Sequence, residues 1–158
     1  MATTPDAANA SVRDAPAGAS ATDRGSTAGA GTRTPLDTVH AFLAAWNAND
    51  MDAVVACLHE DVLYHNVPME PIRGREAVRA YLARIGGFEW VDWKLQAIAA
   101  NGNTVLTERS DDFGLRGRTI RLPVMGAFEV EVGLIRAWRD YFDLAMYRKQ
   151  LEADPERR

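Results

Sequence analysis

The chain has 158 residues, 47% hydrophobic and 25% charged, which suits one soluble globular domain and is too short for two cores of typical size. No apolar run approaches the roughly 18 residues needed to span a bilayer, and the single cysteine, Cys57, can form neither an internal disulfide nor a thiolate zinc site. A membrane partner is therefore not expected, and a cytoplasmic location is the default. The formal net charge of -4, with both signs interspersed, offers no positive footprint for a phosphate backbone, so nucleic acid is not an expected partner either.

Residues 1–33 are dominated by Ala, Thr, Ser and Gly, and their only larger aliphatic side chains are Met1 and Val12. Such a segment buries too little apolar surface to offset its ordering entropy and is expected to be a disordered tail. Its three Arg and three Asp cancel, so the net charge belongs to residues 34–158. Order is expected from Thr34-Pro35-Leu36-Asp37: a capping hydroxyl, a proline suited to the first helical position and an acid in the first turn. Leu36, Val39, Phe42, Leu43 and Trp46 then recur at helical spacing, predicting a helix that ends near Asn47 to Asn49. Asp50 reads as the cap of a second short helix carrying Val54, Val55 and Leu58, and 61–67 as a strand closed by Pro68 and Pro71. A third helix is predicted over 75–85, stopped by Gly86-Gly87.

From Phe88 the period changes to alternation, with strands predicted near 89–99, 104–113, 119–131 and 134–142, separated by Asn101-Gly102, Arg116-Gly117 and Gly133. Pro123 calls for a bulge or an edge. Helices followed by a run of strands predict an α+β architecture. In it a curved, mostly antiparallel mixed sheet wraps three to four helices, forming a cone with an internal pocket.

Three places break the apolar pattern. On the strand at 104–113, Val105, Thr107, Arg109, Asp111 and Phe113 share a face. The opposite face, Leu106, Glu108, Ser110 and Asp112, is mostly polar and reads as solvent-facing, so Arg109 and Asp111 point inward. Asp140 lies between Trp138 and Phe142 on the last strand's inner face, and Tyr64 and Asn66 point the same way from the first. An unpaired buried charge costs several kcal/mol, so these groups need partners. Each has a plain structural explanation: an ion pair for Arg109 and Asp111, pairing of Asp140 with Arg109 or Arg136, an amphipathic tyrosine, and a turn-initiating asparagine. Only their convergence on one face points to a site. The histidines form no set with metal-ligand spacing, so no metal is expected; Trp90 and Trp93 read as packing residues.

The segments Tyr64-His65-Asn66-Val67-Pro68, Gly74-Arg75-Glu76-Ala77-Val78, Thr107-Glu108-Arg109-Ser110-Asp111 and Trp138-Arg139-Asp140-Tyr141-Phe142-Asp143-Leu144 resemble the limonene-1,2-epoxide hydrolases. The resemblance runs from about 35 to 150, and the Trp-Arg-Asp-Tyr-Phe-Asp run is its most specific piece. It implies a cystatin-like cone of the nuclear transport factor 2 type, a homodimer, no cofactor, and a catalytic domain over residues 34–158. It further implies water addition to a small apolar epoxide, cyclic or terpene-type, giving a vicinal diol in one step. Asp140 would be the general base, Asp111 the general acid, Arg109 the bridge between them, and Tyr64 and Asn66 the holders of the water. Ile85, Val91, Phe113, Leu122, Val124 and Phe142 are the expected apolar pocket wall. The segments Met69-Glu70-Pro71 and Gly86-Gly87-Phe88-Glu89-Trp90 depart from the family pattern and leave substrate choice open. The same cone hosts isomerases, dehydratases and cyclases of steroid or polyketide substrates; those, or a noncatalytic binding module, are the competing readings.

Overall fold

The structure, a computed structural model, describes residues 33–153; the expected disordered tail lies, but for Arg33, outside the described residues. Helix α1 (Pro35–Asn47) starts where Thr34 accepts a hydrogen bond from the Asp37 N–H, with Pro35 in its first turn. It stops in a paired turn: Asn49, in the left-handed region at φ 53°, donates to the Trp46 carbonyl and Asp50 donates to that of Ala45. The Asp50 side chain then caps α2 (Met51–Ala56) by accepting from the Ala53 N–H. That helix is shorter than expected. Leu58 opens β1 (Leu58–Asn66) because pairing with Ile135 of a later strand satisfies more backbone than another helical turn would.

After β1 come the two-residue β2 (Ile72–Arg73), not foreseen in the sequence, then α3 (Arg75–Ile85) and four long strands. These are β3 (Phe88–Asn101), β4 (Thr104–Leu115), β5 (Arg118–Glu131) and β6 (Leu134–Tyr141). They form one six-stranded sheet in the order β2-β1-β6-β5-β4-β3. Only β1 and β6 run parallel, so the sheet is mixed and mostly antiparallel, and with the helices it makes an α+β fold. Among the described residues no helix is long and apolar enough to cross a membrane.

The last helix, α4 (Leu144–Glu152), was missed in the sequence. Its signals were weak: Asp143 caps it by accepting from the Ala145 and Met146 N–H groups, but none of its residues is fully buried. It explains Pro123. β5 pairs with β6 only from Met125 onward, so residues 118–124 have β4 on one side and a free edge on the other. Gln150 of α4 occupies that edge, its side-chain amide donating to the Arg121 carbonyl and accepting from the Arg121 N–H. Pro123 has the same parity as Arg121, so its missing N–H also falls on the edge, where no strand bond is lost. The pairing of β4 with β5 runs without a bulge, so of the two expectations the edge is the one observed.

The inner face of the sheet is covered by α1. Phe42, fully buried, meets Trp138 at 4.9 Å, Phe128 at 5.7 Å and Trp46 at 6.3 Å between ring centroids, all edge to face. This aromatic cluster joins the helix to β5 and β6, and Trp138 carries it to the site described next. Phe42→Ala should lower stability by about 3–5 kcal/mol, measured by urea denaturation. A loss below about 1 kcal/mol would show that the cluster collapses around the gap.

Candidate active site

Four strands bring the polar residues together. Asn66 on β1 lies in register with Asp140 on β6, and Tyr64 with Trp138. Asp140 lies opposite Gly126 on β5, and Gly126 opposite Thr107 on β4, two residues from Arg109. To reach Asp140, the Arg109 side chain must cross β5, a span of two strand spacings or about 10 Å. Gly126 lets it do so. A side-chain carbon there would overlap the Arg109 Nη1 and the Thr107 Oγ1. The role of Gly126 becomes visible only when the three strands are aligned.

Arg109 is 1% exposed, and Asp111 and Asp140 are each 4% exposed. The guanidinium makes a fork to Asp111, Nε to Oδ1 and Nη2 to Oδ2, both 2.9 Å; Nη2 also donates to Asp140 Oδ1 at 2.9 Å. Nη1 donates to Thr107 Oγ1 at 2.9 Å. Its plane is flanked by aromatic rings, with Cζ 4.9 Å from the Trp93 centroid and 5.8 Å from that of Phe128. The other Asp140 oxygen accepts from the Trp138 indole N–H at 2.7 Å. Of the two partners foreseen for Asp140, Arg109 is the one found; Arg136 pairs with Asp61 and Glu131. Trp93, read as a packing residue, also lines the cavity. Asp112, read as solvent-facing, is instead buried against Lys94 and Ser110 on the outer face.

One cation between two buried carboxyls cannot neutralise both, so the low-dielectric setting favours one proton on the pair. Burial pushes the Asp111 carboxyl up to about 6; the Arg109 fork opposes this, and the neighbouring Asp140 and Asp112 charges add to it. Burial works against the Arg109 charge, but Asp140 and Asp111 outweigh it and raise its pKa above the ordinary arginine value. The site thus combines a locked cation, a carboxyl able to hold a proton, and a second carboxyl beside it.

Tyr64 and Asn66 complete the polar floor. Asn66 Nδ2 donates to Tyr64 Oη at 2.7 Å, leaving the tyrosine proton and the Asn66 Oδ1 free to engage a third group. Burial raises Tyr64 well above the usual phenol range, with Tyr81 and Asp140 adding to the effect, so its hydroxyl stays protonated and can donate. Tyr64, Asn66, Asp111 and Asp140 all face a cavity of about 470 Å³. Ile85, Val91, Phe113, Leu122, Val124 and Phe142 line it, as do Trp46, Phe88 and Trp138. Arg109 does not. It lies behind the two carboxyls, with no exposed side-chain surface. Among the described residues no group of three or more His, Cys, Asp or Glu is placed to hold a metal ion.

An apolar cavity floored by two arginine-bridged carboxyls, on this sheet, defines a class, and the comparisons agree with it. Residues 33–152 match the limonene-1,2-epoxide hydrolase catalytic domain, and the chain belongs to that family of epoxide hydrolases. It is 41% identical over 106 residues to epoxide hydrolase EphG of Mycobacterium tuberculosis, covering 67% of this chain and 71% of that protein. The structure of an M. tuberculosis LEH-like epoxide hydrolase superposes with a TM-score of 0.67 at 38% identity, covering 74% of this chain and 88% of the other. A protein of Catenulispora acidiphila with a ketosteroid isomerase-like fold superposes with a TM-score of 0.66 at 21% identity, covering 78% and 98%, and speaks to the fold alone.

Gly126→Ala tests the packing of the site. The added methyl must displace Arg109 or Thr107 and should lower stability by about 1–3 kcal/mol in chemical denaturation. An unchanged midpoint would mean that the guanidinium does not need the space.

Proposed function

We propose that the protein adds water to an epoxide in one step, releasing a vicinal diol with no covalent enzyme intermediate. Asp140 is the general base: it takes a proton from a water held by the Tyr64 hydroxyl and the Asn66 amide oxygen. The water oxygen attacks one ring carbon, the C–O bond at that carbon breaks, and Asp111, protonated, delivers its proton to the departing oxygen. Asp140 ends protonated and Asp111 ionised, so transfer of one proton from the first to the second restores the starting state. Arg109 keeps the two in opposite protonation states and fixes their orientation. The reading is carried by one observation, the guanidinium that hydrogen-bonds both carboxyls at the floor of the apolar cavity. Enolisation, the chemistry of the competing isomerase reading, can also employ a base with a protonated carboxyl as oxyanion donor; the match of residues 33–152 to the epoxide hydrolase domain favours hydrolysis. Exposed Leu106, Met125 and Tyr141 on the outer face of the sheet support the homodimer that the family resemblance implies.

A single turnover in oxygen-labelled water should place solvent oxygen in the diol at once; first-turnover oxygen taken from an aspartate would reject the one-step route. Asp140→Asn and Asp111→Asn should each lower kcat on a cyclic or terpene epoxide by about 10²–10⁴-fold, with the fold retained by circular dichroism. Activity close to that of the parent in either would remove that residue from its role.

The pH profile follows from Asp111. The acid must carry its proton, and its pKa is about 6, so kcat/KM should fall as pH rises through that value, while at lower pH it is limited by protonation of the base. A profile flat from pH 5 to 8, on a scale fixed by that pKa of about 6, would exclude Asp111 as the acid.

A further inference from the structure

The Arg109 guanidinium is touched by Thr107, Asp111, Asp140, Trp93 and Phe128. Thr107 and Phe128 are buried and take no part in the cavity wall. Asp111, Asp140 and Trp93 line the cavity, so they are the groups that stand between the cation and the solvent the cavity admits. Two of them are the carboxyls of the proposed reaction. The third, Trp93, takes no proton, yet the sheet is arranged to deliver it.

The pairing of β3 with β4 changes register twice, between Phe88 and Trp90 and again between Leu95 and Ala97, and Trp93 lies between the two shifts. There it stands directly opposite Asp111, with Leu95 opposite Arg109. Carried on from Ala97 and Glu108 without the shift, the pairing would set Trp93 against Asp112, on the outer face. The end of α1 then holds Trp93 in two ways. Asn47 Nδ2 donates to the Trp93 carbonyl at 3.0 Å, and the Trp93 N–H donates to Asn47 Oδ1 at 2.6 Å. This fork takes the place of a strand neighbour at the free edge of β3. Trp46 stacks on the Trp93 ring, 4.5 Å between centroids and 18° between planes.

We infer that Trp93 is a positioning residue for the proposed reaction: clamped by Asn47 and Trp46, its indole closes the guanidinium off from the cavity and holds the Arg109–Asp111 fork in place. An aromatic face attracts the cation without offering it a strong acceptor, so the guanidinium donors stay with Thr107 and the two carboxyls. Without the indole, water would share the cation and solvate the carboxyl beside it. Asp111 also feels Asp140 from β6, and Asp112 on the outer face with its partners Lys94 and Arg121. Tyr64, Tyr81, Tyr147, Arg84 and Arg116 line the cavity that Asp111 faces. Replacing Trp93 alters none of these charges, so its effect is on hydration and geometry. The inference rests on the epoxide-hydrolase reading above and adds to it a residue that transfers no proton.

The test follows kcat/KM on a neutral cyclic epoxide against pH, together with the Asp111 carboxyl signal of aspartate-labelled full-length protein by carbon NMR. In Trp93→Leu the aromatic face is lost and water gains access, which lowers the pKa that burial had raised to about 6. The falling limb and the Asp111 titration should both move down by about one pH unit, lowering kcat/KM about tenfold at neutral pH and only about twofold near pH 5. Trp93→Phe keeps an aromatic face and should hold both within about a third of a unit. Asn47→Ala frees the Trp93 backbone without touching the cavity wall and should move both downward by a smaller step. A loss of equal size at every pH, with the Asp111 titration in its parental place, would make Trp93 a packing residue and overturn the inference. Parental behaviour in Trp93→Leu would overturn it too. If Trp93→Leu does not fold, Asn47→Ala decides: a titration moved to lower pH supports the inference and an unmoved one rejects it. If the parent protein opens no epoxide, the hydrolase reading fails, while the Asp111 titration still decides what Trp93 does.

Discussion

A guanidinium buried to 1% exposure must be answered by negative charge, and Arg109 finds its answer on two different strands. That demand organises the centre of the molecule. It requires β4 and β6 to be separated by a single strand, and it requires that strand to carry no side chain where the arginine crosses. It also requires the remaining Asp140 oxygen to be met by a donor, which Trp138 supplies. Removing either carboxyl would leave the cation partly unanswered in a low-dielectric setting, so the ion triad is a constraint on the sheet as much as a feature of the site.

The same triad sets the electrostatics of the cavity floor. Two acids and one base of charge, enclosed together, hold a net negative charge unless one proton stays, and burial assigns that proton a pKa of about 6 at Asp111 despite the arginine fork that favours its ionised form. The proposed mechanism draws on this by making one carboxyl the proton donor and the other the acceptor. Aromatic packing sustains it: Phe42, Trp138, Phe128 and Trp93 form a continuous wall that supports α1 on one side and encloses the guanidinium on the other. The packing and the polar floor therefore share residues, and Trp138 belongs to both.

Much of this was legible in the sequence because alternation is a local signal. The inward direction of Arg109, Asp111 and Asp140 follows from period two, and the caps at Thr34 and Asp50 follow from side-chain chemistry within three residues. Local signals failed where long-range pairing or a docking surface decided. Leu58 fits a helical face but pairs with Ile135. Helix α4 has a cap and little else, because it is held largely by the edge of β5 that Gln150 covers. Asp112 obeyed its period and still became buried, since Lys94 on β3 and Arg121 on β5 close over it.

What the sequence alone determined was the α+β class, the residues that face inward, the apolar wall from Ile85 to Phe142, and the family to which the motifs belong. Only the tertiary structure decided how those residues meet. It set β1 parallel to β6, so that Tyr64 and Asn66 stand beside Asp140; it put Gly126 beneath the arginine; and it withdrew Arg109 from the cavity. The reason is physical. Which way a side chain points is set by its own strand, but which neighbour it finds is set by strand order and register, and these emerge only when the whole sheet pairs.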